Sequence, residues 1–380
     1  MEGRAVDYDI IIVGAGPAGL STALHLAQLA PELTERTLII EREHHPRPKL
    51  CAGGIMPGGE ACLKGLGLNL DEVPAVNVCE AHFLFEGTGF VVRRDEFDAW
   101  LADAARSRGL TLEEGTRVKQ VYTLEDDGLV QVETDKGTYR AGAVVGADGA
   151  TSVVRRAVVR KHIPQVSRLL EILVPAEPQA LASDDSETDC DKRAIIDLSW
   201  IADGVQGYAW DFPTRVQNRP MRSRGIFDSR IHPKAPRSSI KTVLQEELAR
   251  TGVEFDHCEL QGHPLRWFRP RGVFSAPRVL LVGDAAGVDP LLGEGISFAL
   301  QYGRIAAKQL QDAFNRGDFS FKGYRRRVLN NRTGRFLGRR YAVAWVLYGI
   351  RNRWLLRFIS RNLGFLIGWL AEALLVDWGK

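Results

Sequence analysis

Apolar residues fall along this chain in two rhythms. Almost unbroken apolar runs of strand length, rich in β-branched residues, occupy positions 9–13, 37–40, 143–147 and 278–282. Such runs suit strands buried on both faces of a parallel sheet. Segments of helical composition follow the first and last of them, at 20–30 and 296–312. Elsewhere the period is two. Residues 77–93 read as a strand pair turning near 86–89, and 110–143 as strands joined by turns at Asp127-Gly128 and Lys136-Gly137. Between them a helix is expected after Arg94, with Asp95 as its N-cap, Phe97, Leu101 and Ala105 on one face and Gly109 beyond its end. Past residue 165 the apolar runs 194–201, 206–212, 224–227 and 261–268 read as strands of a separate sheet. An amphipathic helix is expected at 238–250, and the polar, acidic stretch 175–192 reads as an exposed loop or hairpin.

The turn residues give the buried strands a purpose. Gly14 lets the chain leave the first strand sharply, Gly16 lets backbone approach a pyrophosphate, and Gly19 lets the next helix pack close to the sheet. That helix start offers free N–H groups to phosphate oxygens. Glu41, at the end of the second strand, is placed to accept ribose hydroxyls. Strand, glycines, helix, second strand and carboxylate in this order point to dinucleotide binding rather than an ordinary strand–turn–helix connection. Gly146-Ala147-Asp148-Gly149 and Gly283-Asp284 repeat the logic after the third and fourth runs. Three segments distant in sequence therefore converge on one ligand if the sheet is shared, with Asp148 a second candidate contact.

Two further groups carry candidate chemistry. Cys51 stands among glycines two residues after Lys49. It reads equally as a small buried hydrophobe or as a site group, a thiolate favoured by the nearby cation or an acid beside a cofactor ring. Tyr208, Trp210 and Phe212 recur at period two and so share one face of a strand, either as core or as the lining of an apolar substrate cavity.

Composition narrows the setting. The 380 residues are 45% hydrophobic and 26% charged, a globular balance suited to two interleaved domains. Five cysteines, odd in number and without a CxxC pair, argue for a reducing compartment and against a disulfide framework or a zinc site; no metal is expected. The N-terminus lacks a basic–apolar–small leader pattern, which points to a cytoplasmic protein. The net charge of +3 hides an asymmetry: residues 321–361 hold twelve Lys or Arg and no acid, and residues 1–320 carry a net −8. Apolar runs at 342–350 and 363–376 flank arginines interleaved with Trp354 and Phe358, and both are shorter than the roughly twenty residues that span a bilayer. This pattern suits helices lying in an anionic membrane interface, or a helical piece packed on the body. The apolar runs speak against nucleic acid as the partner of the basic end.

Together the motifs resemble a known group. GAGPAG with Glu41, GADG at 146–149 and GDAAG at 283–287 are similar to flavoproteins of the p-hydroxybenzoate hydroxylase type. KLCAGG at 49–54, GYAWDFP at 207–213 and the PLLGEGI run resemble, within that group, the geranylgeranyl reductases, over about residues 8–310. Relatives often have CysGlyGly where this chain has Cys51-Ala52-Gly53-Gly54. The resemblance implies an α/β fold: a Rossmann-like FAD-binding domain (1–75, 94–162 and 270–320), an inserted mixed-sheet α+β substrate-binding domain (76–93 and 163–269), and a helical C-terminal region (321–380). It implies that Gly14, Gly16, Ala18, Gly19, Glu41 and Arg42 hold the adenosine and pyrophosphate of FAD. Arg94, Gly283 and Asp284 would meet the pyrophosphate and ribityl chain, and Pro290, Gly293, Gly295 and Ile296 the isoalloxazine. The implied activity is saturation of isolated C=C bonds in a polyprenyl lipid by hydride from reduced flavin. Tyr208 and Trp210 would line the pocket and Cys51 would serve as an acid or positioning group. NAD(P)H bound transiently, a ferredoxin as redox partner protein, or a quinol would donate electrons. A monooxygenase of an apolar or aromatic substrate and a non-catalytic flavin or lipid carrier are the alternatives.

Overall fold

A computed structural model of the chain describes residues 6–78, 80–82, 89–124, 128–159, 166–176, 193–217, 219–235, 237–255, 258–350, 352 and 354. The first apolar run forms the strand Tyr8–Val13, paired in parallel with Thr37–Ile40 on one side and Thr138–Gly146 on the other. Val279–Leu281 pairs in parallel beyond Thr138–Gly146, and Thr111–Glu113 extends the opposite edge. Ile10, Ile11 and Ile12 are fully buried, as period-one hydrophobicity requires of a central strand covered on both faces. The helices Pro17–Leu29, Arg94–Ser107 and Ile296–Arg316 share its core.

This register brings the glycine turns together. Val13 stands opposite Gly146 and Gly146 opposite Leu281. Ala147 N–H donates to Val13 O at 2.8 Å, and Val282 N–H to Gly146 O at 3.0 Å. Gly14, Asp148 and Asp284 therefore lie along one edge of one sheet, as the shared-sheet expectation required.

A second sheet runs in the order Gln261–Arg266, Val166–Pro175, Arg219–Asp228, Gly207–Val216, Arg193–Asp197, Glu80–His82. One face, with Ile172, Ala209 and Ile226, packs on the helix Ile240–Arg250. The other, with Ile196, Tyr208, Trp210 and Phe227, meets Ala52 and Leu292 of the first unit. A small third sheet, Gly54–Ile55, Gly89–Val92 and Ala75–Val78, lies beside Phe212.

Several expected elements change. The helix expected from Asp95 begins at Arg94, with Arg93 in extended geometry as N-cap and no side-chain cap. The strand expected at 194–201 stops at Asp197, whose carboxylate accepts Ser199 N–H at 2.8 Å and turns the chain into a 3₁₀ segment. Val166–Pro175 is a strand the apolar pattern did not mark, because Glu171 interrupts it. The turn near 86–89 and most of the acidic stretch 175–192 lie outside the described residues.

The basic end is only partly a solvated face. In the helices Tyr324–Asn330 and Arg332–Leu347, Arg327 pairs with Asp312 and Arg340 is fully buried. Arg325 donates to Pro270 O at 2.7 Å. The apolar run 363–376 lies outside the described residues, among which no helix is long and apolar enough to cross a membrane.

Candidate active site

The turn after the first strand is shaped by its own packing. Gly14 has φ +103°, and a Cβ there would stand 2.5 Å from Ala147 O. A Cβ at Gly19 would stand 1.9 Å from Gly14 O, so the helix and the turn touch backbone to backbone. At Gly16 a Cβ would meet no backbone, only the guanidiniums of Arg47 and Arg94 in ordinary contact at 3.7 and 3.8 Å. Glu41 is buried and accepts Ala15 N–H at 2.8 Å, holding the loop, and Glu43 N–H at 3.2 Å. Arg42 reaches the rim, exposed and 3.4 Å from Glu43.

Behind this cradle one buried carboxylate faces two cations. Asp98 binds Arg94 through both oxygens, at 2.8 and 2.7 Å, and lies 3.3 Å from Arg47. Asp148 spends its carboxylate on its own loop, accepting Ser152 Oγ–H at 2.5 Å, Val153 N–H at 2.6 Å and Val154 N–H at 3.2 Å. Asp284 is different. It lines the cavity near Lys49, Arg94 and Arg266, and among the described residues no hydrogen-bond donor reaches it. Burial pushes its carboxyl above the usual range, against those three cations.

From this cradle a cavity of about 530 Å³ runs to the second sheet. Its middle is walled by Cys51–Gly54 and by Gly293, Gly295 and Ile296, and its far side by Tyr208, Trp210 and Phe212. Gly283 and Pro290 lie behind the wall, where the Pro290 carbonyl accepts Ser229 Oγ–H at 2.6 Å. Tyr208 donates to Leu292 O at 2.6 Å, and its ring centroid lies 6.3 Å from that of Trp210. Cys51 Sγ accepts Gly53 N–H at 3.4 Å. Burial pushes this thiol up although Arg94 opposes it, which favours the protonated thiol over the thiolate among the site roles open to Cys51.

Three groups in or behind this wall go beyond the sequence reading, which named Lys49 only as a cation near Cys51 and not with His263 as its partner. Lys49 Nζ lies 2.6 Å from His263 Nε2. Burial pushes the lysine down to about 8 and the histidine to about 3, so a cationic lysine donates to a neutral imidazole. Arg340 meets Asp289 at 2.7 Å and Glu294 at 2.6 Å, tying the last described long helix to the 289–295 loop. Glu171 is buried beneath the aromatic wall. Besides Lys49 in its KLCAGG run, Glu171 left a signal, as a lone acid within LeuLeuGluIleLeuVal.

Residues 87–320 match the profile of the family described as FAD binding domain, and residues 11–159 that described as pyridine nucleotide-disulphide oxidoreductase. The chain belongs to the FAD-binding domain family. It is 29% identical over 343 residues to digeranylgeranylglycerophospholipid reductase 3 of Methanosphaera stadtmanae, covering 83% of this chain and 80% of that one. It is 29% identical over 342 residues to the chloroplastic geranylgeranyl diphosphate reductase of Arabidopsis thaliana, covering 81% and 66%. A geranylgeranyl bacteriochlorophyll reductase-like protein from Thermoplasma acidophilum superposes with TM-score 0.71 at 21% identity over 96% of both chains. PqsL of Pseudomonas aeruginosa superposes at TM-score 0.65 and 19% identity, covering 92% and 99%. These two share the fold. The resemblance to geranylgeranyl reductases read from the motifs is thus met over most of the chain, and the protein is an FAD-dependent oxidoreductase.

The residues present fit FAD. The Gly16 backbone beside two guanidiniums suits a pyrophosphate, and Asp284, half-buried in the cavity wall with no hydrogen-bond donor among the described residues, suits the hydroxyls of a ribityl chain. Glu41 and Arg42 line the same cavity and would border the adenosine, and Gly53, Gly54, Gly293 and Gly295 line the part where a planar ring would lie.

Proposed function

We propose that the protein saturates isolated C=C bonds of a polyprenyl lipid. The observation that carries this reading is the continuity of the cavity, from the glycine cradle to a wall of Tyr208, Trp210 and Phe212. Reductases named for geranylgeranyl substrates, at 29% identity, support it. An isolated alkene has no carbonyl to polarise, so hydride adds only as a proton arrives and positive charge builds on a tertiary carbon. FAD, when bound and reduced, supplies the hydride and its electron pair. The chain supplies the rest. Apolar walls exclude water and orient the alkene, and the ring faces of Tyr208 and Trp210 stabilise the cationic carbon. Cys51 holds a proton at Sγ in the same cavity. The electrons come from a nicotinamide, a ferredoxin or a quinol.

A lipid substrate resides in a membrane, and the end of the Arg332–Leu347 helix suits one. Trp345 and Val346 are 55% and 61% exposed and Trp354 is 72% exposed, in the cation-rich segment. We place the protein peripherally on an anionic surface.

The test is anaerobic. Dithionite-reduced protein is given a geranylgeranyl lipid, and flavin absorbance and product mass are followed. Reoxidation with a gain of two mass units per double bond is expected. Reoxidation only on admitting oxygen, with a gain of sixteen, would replace this reading by monooxygenation.

A further inference from the structure

The second sheet carries a carboxylate where its pattern calls for an apolar residue. Glu171 lies on the strand Val166–Pro175, on the sheet face opposite to Ile172, and is 2% exposed. Across the strands it stands opposite Gly225, and Gly225 opposite Trp210. The glycine is required here, because a Cβ at 225 would meet Trp210 Cζ2 at 2.3 Å. The indole therefore fills the gap in the row and brings its nitrogen toward the acid. Trp210 Nε1–H donates to Ser223 Oγ at 3.1 Å, and Ser223 Oγ–H donates to Glu171 Oε1 at 3.0 Å. The order of donors is fixed, since an indole nitrogen donates only. Glu171 Oε2 has no hydrogen-bond partner among the described residues.

We propose that Glu171, acting through Ser223, is the positioning residue of Trp210, holding the indole in the cavity wall and drawing its N–H toward a negative charge so that the ring face is richer in electrons. This rests on the reductase reading, in which that face meets positive charge on an alkene carbon. Hydrogen bonds in a low-dielectric interior polarise one another along a chain, and a charged acceptor at its end strengthens each link. An electron-richer ring then attracts a cation more strongly. A merely structural acceptor needs no charge, and a buried carboxylate with an idle oxygen is a costly way to obtain one. The ionisable groups facing Glu171 are Arg93, which also pairs with Asp95 at 3.4 Å, and Cys51. Burial pushes the carboxyl up to about 7, with Ser223 and Arg93 opposing, so its charge appears through neutral pH.

The experiment uses FAD-loaded protein with ¹⁵N-labelled tryptophan. The Trp210 indole resonance is assigned by its absence in Trp210→Phe and followed from pH 5 to 9. The resonance should move with a midpoint near 7 in the wild type and stay flat in Glu171→Gln, which keeps the acceptor but not the charge. It should also stay flat in Ser223→Ala, which cuts the chain. A wild-type resonance that does not titrate, or one that still titrates in Glu171→Gln, overturns the proposal. In single turnover with a geranylgeranyl lipid, Glu171→Gln should slow flavin reoxidation by about tenfold at pH 8 with lipid affinity unchanged; an unchanged rate also overturns it. Absence of any wild-type turnover would instead remove the reductase reading, while the resonance still decides whether Glu171 acts on Trp210.

Discussion

Gly16 and Gly19 stand three residues apart and should fail differently when given a methyl group. Gly19→Ala places a Cβ 1.9 Å from Gly14 O, so the helix must shift off the turn and both stability and bound flavin should fall. Gly16→Ala meets only guanidiniums at 3.7 and 3.8 Å, so the fold should survive while flavin is lost. Flavin-to-protein absorbance ratios beside thermal melts separate the two, and equal melts would contradict the packing argument. Glu171 carries a pH signature of its own. Its folded value is raised from 4.5 to about 7, so its contribution to stability is intact below 4.5 and is lost as pH rises through 7. Over that window the loss is about 3 kcal/mol. Urea unfolding of Glu171→Gln against wild type at pH 5 and pH 8 should show the variant gaining by that order; a gap independent of pH would refute it. The glycines were legible because a tight turn imposes its demand locally. The part played by Asp148 was not: its carboxylate is taken up by Ser152, Val153 and Val154, four to six residues on, and nothing in the GADG motif itself marks those donors.

The Arg332–Leu347 helix shows the same limit among elements. Its arginines look alike in a basic run, yet Arg340 alone is 0% exposed, between Asp289 and Glu294. Arg340→Ala leaves two carboxylates buried without their cation and should cost about 3–5 kcal/mol. Combining Arg340→Met with Asp289→Asn and Glu294→Gln should recover much of it, as read by urea midpoints. No recovery would mean that packing, not charge, fixes the helix. The parallel strands were legible because burial on both faces leaves an unbroken apolar run. The strand Val166–Pro175 was hidden by the residue that gives it a function, since Glu171 interrupts the apolar pattern.

For the molecule as a whole, charge and exposed aromatics predict behaviour at a lipid surface. The protein should float with anionic vesicles, less with neutral ones, and less again in high salt, as roughly 1 kcal/mol per basic residue is screened. Trp345→Ser with Val346→Ser should weaken flotation without changing flavin content, and absence of flotation with anionic vesicles would refute the surface reading. The α/β class was legible from three glycine-ended strands, but their meeting place was an inference until register set Val13 beside Gly146 and Gly146 beside Leu281. That arrangement has a consequence for biosynthesis. Gly14 leaves the ribosome roughly 270 residues before Asp284, a delay on the order of tens of seconds. Until the strand Val279–Leu281 docks, the cradle lacks one wall, so the nucleotide finds no complete seat on a growing chain. Every copy thus passes through an unliganded stage that lasts at least until the strand Val279–Leu281 has been made and has docked.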